Sequence, residues 1–155
     1  MTIFTRDIKV KVNEEFGEKT VRAIATMKNV TAEGKKPGRF KIEVVVSKED
    51  FQILKIENVL IDGLFFDCQR VQPKLKELCG LTITRGYNKK IKEIAGGCEG
   101  CTHIVELLTE VGRCVYQAHH GRLLVKEGMD ACVESYRKLS KVNCSGVDNY
   151  EGQGM

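Results

Sequence analysis

Residues 40–46 of the sequence read Phe40-Lys41-Ile42-Glu43-Val44-Val45-Val46. An apolar side chain occupies every second position of this stretch, and the charged residues Lys41 and Glu43 lie between the first three of these positions. Successive side chains of a β-strand point to opposite faces of a sheet, so this alternation predicts a strand with one buried face.

The same period of two occurs upstream. Residues 8–12 alternate apolar residues with lysines, and residues 21–27 place apolar residues at every second position. Turn signals lie between these segments at residues 15–17 and 33–38. Because such short connections suit hairpins and not crossovers, three consecutive antiparallel strands are predicted, with an exposed loop at residues 33–38.

Residues 49–68 leave two interpretations open. Ser47 precedes an acidic turn and could cap a short helix. The apolar residues that follow, up to Asp62-Gly63, also fit a strand, and we favour a strand for the second half of this segment.

From residue 70 onward the pattern becomes helical. Pro73–Cys79 predicts a helix that Gly80 ends, residues 81–84 predict a short strand, and Asn88 is a candidate cap for a helix over residues 89–95. A main helix is predicted to begin near Cys101 or Thr102 and to end at Gly121, with a last helix from Met129 to Lys141. The apolar stripe of the main helix is Ile104, Leu107, Leu108, Val111, Val115 and Ala118.

These elements predict an α+β fold, with N-terminal antiparallel strands followed by a mainly helical C-terminal half. A length of 155 residues suits one domain. We therefore predict a single domain over residues 1–155, in which the polar and glycine-rich residues 145–155 form a loose tail.

The composition excludes several classes of function. Hydrophobic residues make up 42% and charged residues 30% of the chain, as in ordinary globular domains. The net charge of +4 is small, and no aromatic and basic platform accompanies it, so no nucleic-acid partner is expected. The sequence shows neither a run of transmembrane length nor a signal-peptide pattern, which predicts a cytoplasmic protein without a membrane partner. In that compartment the seven cysteines are expected to be reduced thiols or metal ligands.

The strongest concentration of ligand chemistry is Gly96-Gly97-Cys98-Glu99-Gly100-Cys101-Thr102-His103. Two cysteines separated by two residues can bind one metal ion, and a histidine in the first helical turn can add a third ligand. The start of a helix also favours a thiolate, because its unpaired N–H groups stabilise negative charge. A fourth ligand must come from elsewhere, and the residues themselves leave Cys68, Cys79, Cys114, Cys132 and Cys144 open.

Several of these residues also have a purely structural interpretation. Cys79, Cys114 and Cys132 fit ordinary packing positions in helices better than ligand positions. His119 and His120 are expected to be exposed residues at a helix end. Glu106, one turn beyond His103, either orients the imidazole or is simply solvated.

The stretch from Gly96 to Leu108 resembles the signature Gly-Gly-x-x-Gly-Cys-Thr-His-Leu-x-Glu-Leu-Leu of a bacterial family known only as a domain of unknown function. Weaker likenesses at residues 22–25, 78–87 and 143–144 extend the resemblance from about residue 8 to residue 145. The family pattern also has cysteines where Cys68 and Cys144 stand. The resemblance thus implies the ligand set Cys68, Cys101, His103 and Cys144, while Cys98 departs from the pattern and is either an extra ligand or a bystander.

Three functional hypotheses follow. The first is a metal-binding protein whose three thiolates and one imidazole hold zinc or iron, and which serves as an accessory module for another protein. If one ligand is absent, the open position would permit a metal-dependent hydrolase. The second is a thiol enzyme with Cys101 as nucleophile, His103 or another imidazole as base and Cys98 as resolving thiol. The third is a partner protein with inert thiols. The sequence does not determine the oligomeric state.

Overall fold

The computed structural model of the chain describes residues 1–14, 18–32, 38–63 and 66–140. The chain divides into two compact units, Met1–Val115 and Tyr116–Met155, and the boundary falls within a helix. The prediction of a single domain over residues 1–155 stays a prediction, and the tail predicted at residues 145–155 lies outside the described residues.

Four antiparallel strands form one sheet in the first unit, in the order β1-β2-β3-β4. Their bounds are Phe4–Glu14 for β1, Thr20–Thr31 for β2, Gly38–Ser47 for β3 and Ile53–Asp62 for β4. The three strands predicted upstream of residue 48 are confirmed, as is the strand favoured up to Asp62. Ser47 caps no helix; its Oγ accepts hydrogen bonds from the backbone N–H groups of Glu49 and Asp50 in the turn between β3 and β4.

One face of the sheet carries the core. The side chains of Phe40, Ile42, Val44 and Val46 on β3 are all at most 2% exposed. The paired positions of β2 hold smaller or flexible apolar residues; Phe40 lies opposite Met27, and Val44 lies opposite Ala23. The alternation of residues 40–46 therefore corresponds to a buried face and a polar face, as predicted.

The polar face of β3 holds a paired carboxylate. Glu43 is only 7% exposed, and it accepts hydrogen bonds from Asn58 at 2.8 Å and from Arg22 at 3.3 Å. Lys41 lies 2.6 Å from its second oxygen. These partners compensate for the burial of the charge and lower the pKa of Glu43, with the hydrogen bond from Lys41 as the largest contribution.

Strand β1 lies at one edge of the sheet. Among the described residues, its ladder hydrogen bonds join it to β2. Lys9 and Lys11 are exposed, and they alternate with Ile8 and Val10 on the opposite face. The edge that faces away from β2 thus runs beside exposed lysines.

The helical half contains a 3₁₀ helix at Phe66–Leu78 and the helices α1 at Tyr87–Ala95, α2 at Thr102–Glu127 and α3 at Met129–Ser140. Pro73 lies inside the 3₁₀ helix and not in a first turn as predicted. The strand predicted at residues 81–84 is reduced to an isolated bridge between Gln52 and Thr82. None of the described helices combines the length and the apolarity that crossing a membrane requires.

Two helix boundaries differ from the predictions. Helix α1 begins one residue before Asn88, and its N-cap is Gly86 at φ 92° with no side-chain cap. Helix α2 begins at Thr102 as predicted, but it continues through Gly121 and is followed by Gly128 at φ 88°. A glycine inside a helix costs about 1 kcal/mol relative to alanine, which tertiary context overrides here.

The extra length of α2 changes the environment of its histidines. Ala118 of the predicted stripe is exposed, whereas His120 is only 2% exposed. The prediction that His119 and His120 are exposed residues at a helix end is therefore wrong, because both lie inside α2. The other five members of the predicted stripe are buried.

Helices α1 and α2 approach closely at Gly112. A Cβ atom there would lie 2.6 Å from the Tyr87 ring, so glycine is required for this contact. The Tyr87 hydroxyl donates a hydrogen bond of 3.0 Å to the carbonyl oxygen of Leu108. This packing orients the loop between the two helices, from which the candidate site is built.

Candidate metal centre

The loop at residues 96–100 is tightly folded. A Cβ atom at Gly96 would lie 2.5 Å from the carbonyl oxygen of Lys92, and one at Gly100 would lie 2.2 Å from that of Ala95. Gly97 adopts φ 76°, a conformation that favours glycine. The loop closes with a hydrogen bond of 2.8 Å from the Cys101 N–H to the carbonyl oxygen of Ala95. The glycines of the sequence motif therefore serve to place Cys101 at the start of α2.

Cys101 occupies the position before the first helical residue. Its carbonyl accepts from the Val105 N–H at 3.0 Å, and its side chain is buried. Burial raises the pKa of the Cys101 thiol; the backbone N–H groups of Ile104 and His103 lower it in part, and the neighbouring Cys68 thiol raises it. The metal-free thiol is thus protonated at neutral pH, with helix N–H groups ready to stabilise a thiolate.

His103 lies against the sheet. Its ring stacks on Phe40 with 4.0 Å between centroids and 14° between planes. Its Nδ1 lies 3.8 Å from the Cys101 Sγ. Burial lowers the pKa of His103, nearby Arg6 lowers it further, and Glu106 partly opposes them. The imidazole is therefore neutral at neutral pH, which is the form that binds metals.

Glu106 belongs to an ion pair that joins β1 to α2. Its Oε2 accepts a hydrogen bond of 2.6 Å from Arg6, whose Nε also donates to the Asn29 side chain at 2.9 Å. Glu106 is half exposed. Both charges act on the pKa of His103, so Glu106 affects this imidazole electrostatically rather than being merely solvated.

Cys68 approaches from the 3₁₀ helix. A Cβ atom at Gly63 would lie 3.9 Å from the Cys68 Sγ and 3.3 Å from the Phe40 ring, so these three residues are close neighbours. Gln69 donates a hydrogen bond of 3.4 Å to the carbonyl oxygen of Ile61 in β4.

An ion pair of 3.0 Å between Lys74 and Glu99 links the 3₁₀ helix to the glycine loop. The two segments that carry the cysteines are thereby joined on the surface, although solvent screens an exposed pair of this kind and its contribution to stability is small.

Cys68, Cys101 and His103 form one group. One ligand atom from each lies within 4.8 Å of the other two. In a tetrahedral zinc site, Zn–S bonds of about 2.3 Å and Zn–N bonds of about 2.0 Å bring ligand atoms to roughly 3.5–3.8 Å from one another. The distance from Cys101 Sγ to His103 Nδ1 already matches, and the outer limit of 4.8 Å exceeds that range by about 1 Å. Side-chain adjustment can close such a gap, so the donor set fits a thiophilic metal ion.

The remaining predicted ligands are Cys98 and Cys144. Cys98 is exposed and outside this group, and Cys144 lies outside the described residues. Of the cysteines expected to pack, Cys132 is buried, Cys114 is partly exposed and Cys79 is exposed.

Two residues around the site were not recognised as part of it from the sequence. Phe40 was predicted only to belong to a strand with one buried face, and Gly63 only to mark the end of a strand. The periodicity of β3 indicates that Phe40 is buried, but no local signal indicates that an imidazole from residue 103 stacks on it.

The chain belongs to the family described as "Protein of unknown function (DUF2889)", whose model matches residues 2–117. This match includes Cys68, Cys101 and His103, and it ends before Cys144. The search of curated proteins found no match, and neither did the search of solved structures.

Proposed function

We propose that this protein binds one zinc or iron ion through Cys68, Cys101 and His103, with Cys144 as the fourth ligand. The observation that supports this proposal is the grouping of two sulfurs and an imidazole nitrogen from distant parts of the sequence within 4.8 Å. Thiolate and imidazole ligands select zinc or iron over magnesium or calcium. The neutral state of His103 and the N–H groups beside Cys101 favour the same chemistry.

Four protein ligands would leave no open coordination position, so the metal would have a structural role. It would tie the 3₁₀ helix and the start of α2 to the C-terminal segment, and part of the folding free energy would come from metal binding. A domain stabilised in this way suits an accessory module that binds another protein. A reducing compartment such as the cytoplasm would keep its thiols available.

The alternative of a thiol enzyme has less support. A catalytic cysteine needs an accessible thiolate, whereas Cys101 is 2% exposed and burial raises its pKa. A hydrolase remains an outcome of the test, because three ligands with one open position are typical of catalytic zinc sites.

The test is metal analysis of the full chain, purified without chelator and reconstituted with zinc or ferrous iron under reducing conditions. We expect about one equivalent of metal in the parent protein. We expect its loss in each of Cys68→Ser, Cys101→Ser, His103→Gln and Cys144→Ser. Cobalt substitution should add an intense near-ultraviolet thiolate-to-metal absorption.

Cys79→Ser is the matched control, because Cys79 is exposed and outside the group. It should retain the metal, and the result for Cys98→Ser decides whether Cys98 is a ligand. Metal retained only in Cys144→Ser would favour an open site and a hydrolase. A parent protein that stays metal-free after reconstitution would refute metal binding.

A further inference from the structure

We propose that Cys68 and Cys101 also form a reversible redox pair, in which a low-molecular-weight disulfide oxidises the two thiols to a Cys68–Cys101 disulfide and so releases the metal. The disulfide requires only the two cysteines. The release of metal rests on the function proposed above.

The first observation is the proximity of the two sulfurs. Both cysteines are free, and their Sγ atoms lie within 4.8 Å of each other. A disulfide needs about 2.05 Å between the sulfurs. Once the Cys68 sulfur has reacted and left the metal, rotation about the two Cα–Cβ bonds is the movement that would bring the sulfurs together.

The second observation is the difference in exposure. Cys68 is partly exposed, whereas Cys101 is 2% exposed. A small disulfide in solvent can therefore reach Cys68 but not Cys101. The order of the two steps follows from this difference, with Cys68 attacking first and Cys101 second.

In the first step, the Cys68 thiolate attacks one sulfur of the small disulfide RSSR. The S–S bond breaks, a mixed disulfide forms on Cys68, and the first thiolate leaves and is protonated to RSH. In the second step, the Cys101 thiolate attacks the Cys68 sulfur and expels the second RSH. Two protein thiols are oxidised and one small disulfide is reduced to two thiols, so atoms and electrons balance. The metal loses Cys68 as a ligand in the first step and Cys101 in the second.

The position of Cys98 makes this pairing specific. Cys98 and Cys101 have the spacing of a redox motif, and sequence alone would pair them. In the structure Cys98 is exposed and lies outside the group that contains Cys101 and Cys68. We therefore expect the pairing across distant segments, for which the sulfurs are known to be close, and the experiment distinguishes it from the pairing within the loop.

The experiment treats the full-length protein with oxidised glutathione in two arms, zinc-loaded and metal-free. Zinc is used because it does not change oxidation state. Peptide mapping without reduction identifies the linked cysteines, and a chromogenic chelator measures the released zinc. We expect a Cys68–Cys101 cross-linked peptide in both arms, and release of about one zinc per disulfide in the loaded arm. Dithiothreitol with added zinc should restore the starting form.

The control variant is Cys79→Ser, because Cys79 is exposed and outside the group, and it should give the same cross-link and the same release. Cys98→Ser should give the same Cys68–Cys101 cross-link in the metal-free arm, because the proposed disulfide does not require Cys98. A Cys98–Cys101 cross-link, or glutathione left unresolved on Cys68, would overturn the redox proposal while leaving metal binding intact. Failure to load zinc would refute the proposed function, and the metal-free arm would still test the disulfide.

Discussion

Two regions of this chain combine histidine with cysteine, and their geometries differ. Around Cys101, the ligand atoms of Cys68, Cys101 and His103 lie within 4.8 Å of one another. Around His120, the Cys132 thiol donates instead to the backbone carbonyl oxygen of His120 at 3.4 Å. Within the part of the chain that the structure describes, a metal-ligand group therefore forms in the first region and not in the second.

The imidazole of His120 is held by packing. Its Nδ1 lies 2.7 Å from the Tyr116 carbonyl oxygen, and because a carbonyl accepts, this nitrogen carries the proton. Its ring stacks on Tyr136 at 3.6 Å between centroids. Its Nε2 is buried without a hydrogen-bond partner among the described residues. The comparison shows that cysteine and histidine form a candidate metal site only where the backbone places their ligand atoms close together.

The largest expected effect is the difference in stability between glycine substitutions in the two regions. Gly100→Ala would place a Cβ atom 2.2 Å from the Ala95 carbonyl oxygen, so the loop before Cys101 must rearrange. The unfolding free energy of this variant, measured in urea, should fall by more than about 3 kcal/mol. Gly121→Ala, in α2 and with open space around it, should instead gain up to about 1 kcal/mol. Equal stabilities of the two variants would contradict the tight loop.

The next effect is the dependence of metal affinity on pH in the first region. Burial raises the pKa of Cys101, so metal binding displaces its proton, and affinity should fall at least about tenfold per pH unit on acidification through neutral pH. Burial lowers the pKa of His103, so its protonation should steepen this loss only at a pH below the ordinary titration range of histidine. Competition titrations with a chelator between pH 5.5 and 8 measure both slopes. A pH-independent affinity would argue against thiolate ligands, and His119→Gln in the second region should leave the profile unchanged.

The smallest effect concerns His120. Replacement by phenylalanine keeps a ring for Tyr136 to stack on. It removes the unpaired Nε2 but also the hydrogen bond from Nδ1 to the Tyr116 carbonyl oxygen, so the two effects oppose each other and the stability should change by less than about 1 kcal/mol, without loss of metal. His103→Phe should keep the ring against Phe40 but lose the metal. Thermal unfolding and metal analysis of both variants make the comparison. Strong destabilisation by His120→Phe would show that Nε2 has a partner outside the described residues.

The sheet could be predicted because its signal is local. The alternation over residues 40–46 reflects one buried face, and the short turns dictate hairpins. The ends of the helices were harder. A glycine such as Gly121 is typical of a helix end, yet α2 continues through it. Open space surrounds Gly121, and tertiary packing buries His120 one residue earlier.

The site could be predicted only in part. The helix start at Cys101 and His103 is visible in the sequence, because glycine spacing and ligand spacing occur together. Cys68 was included among the predicted ligands because of a family resemblance. Nothing in the sequence of residues 66–78 indicates that this segment, which follows β4, lies beside the glycine loop. The contribution of Cys144 stays a prediction, because it lies outside the described residues.

The edge position of β1 bears on how this protein avoids unwanted self-association. An eleven-residue outer strand is a natural template for a further strand from another molecule. In an antiparallel pairing of two such edges, Lys9 and Lys11 of one molecule would come near the same lysines of the other. Their mutual repulsion would oppose growth into an extended intermolecular sheet.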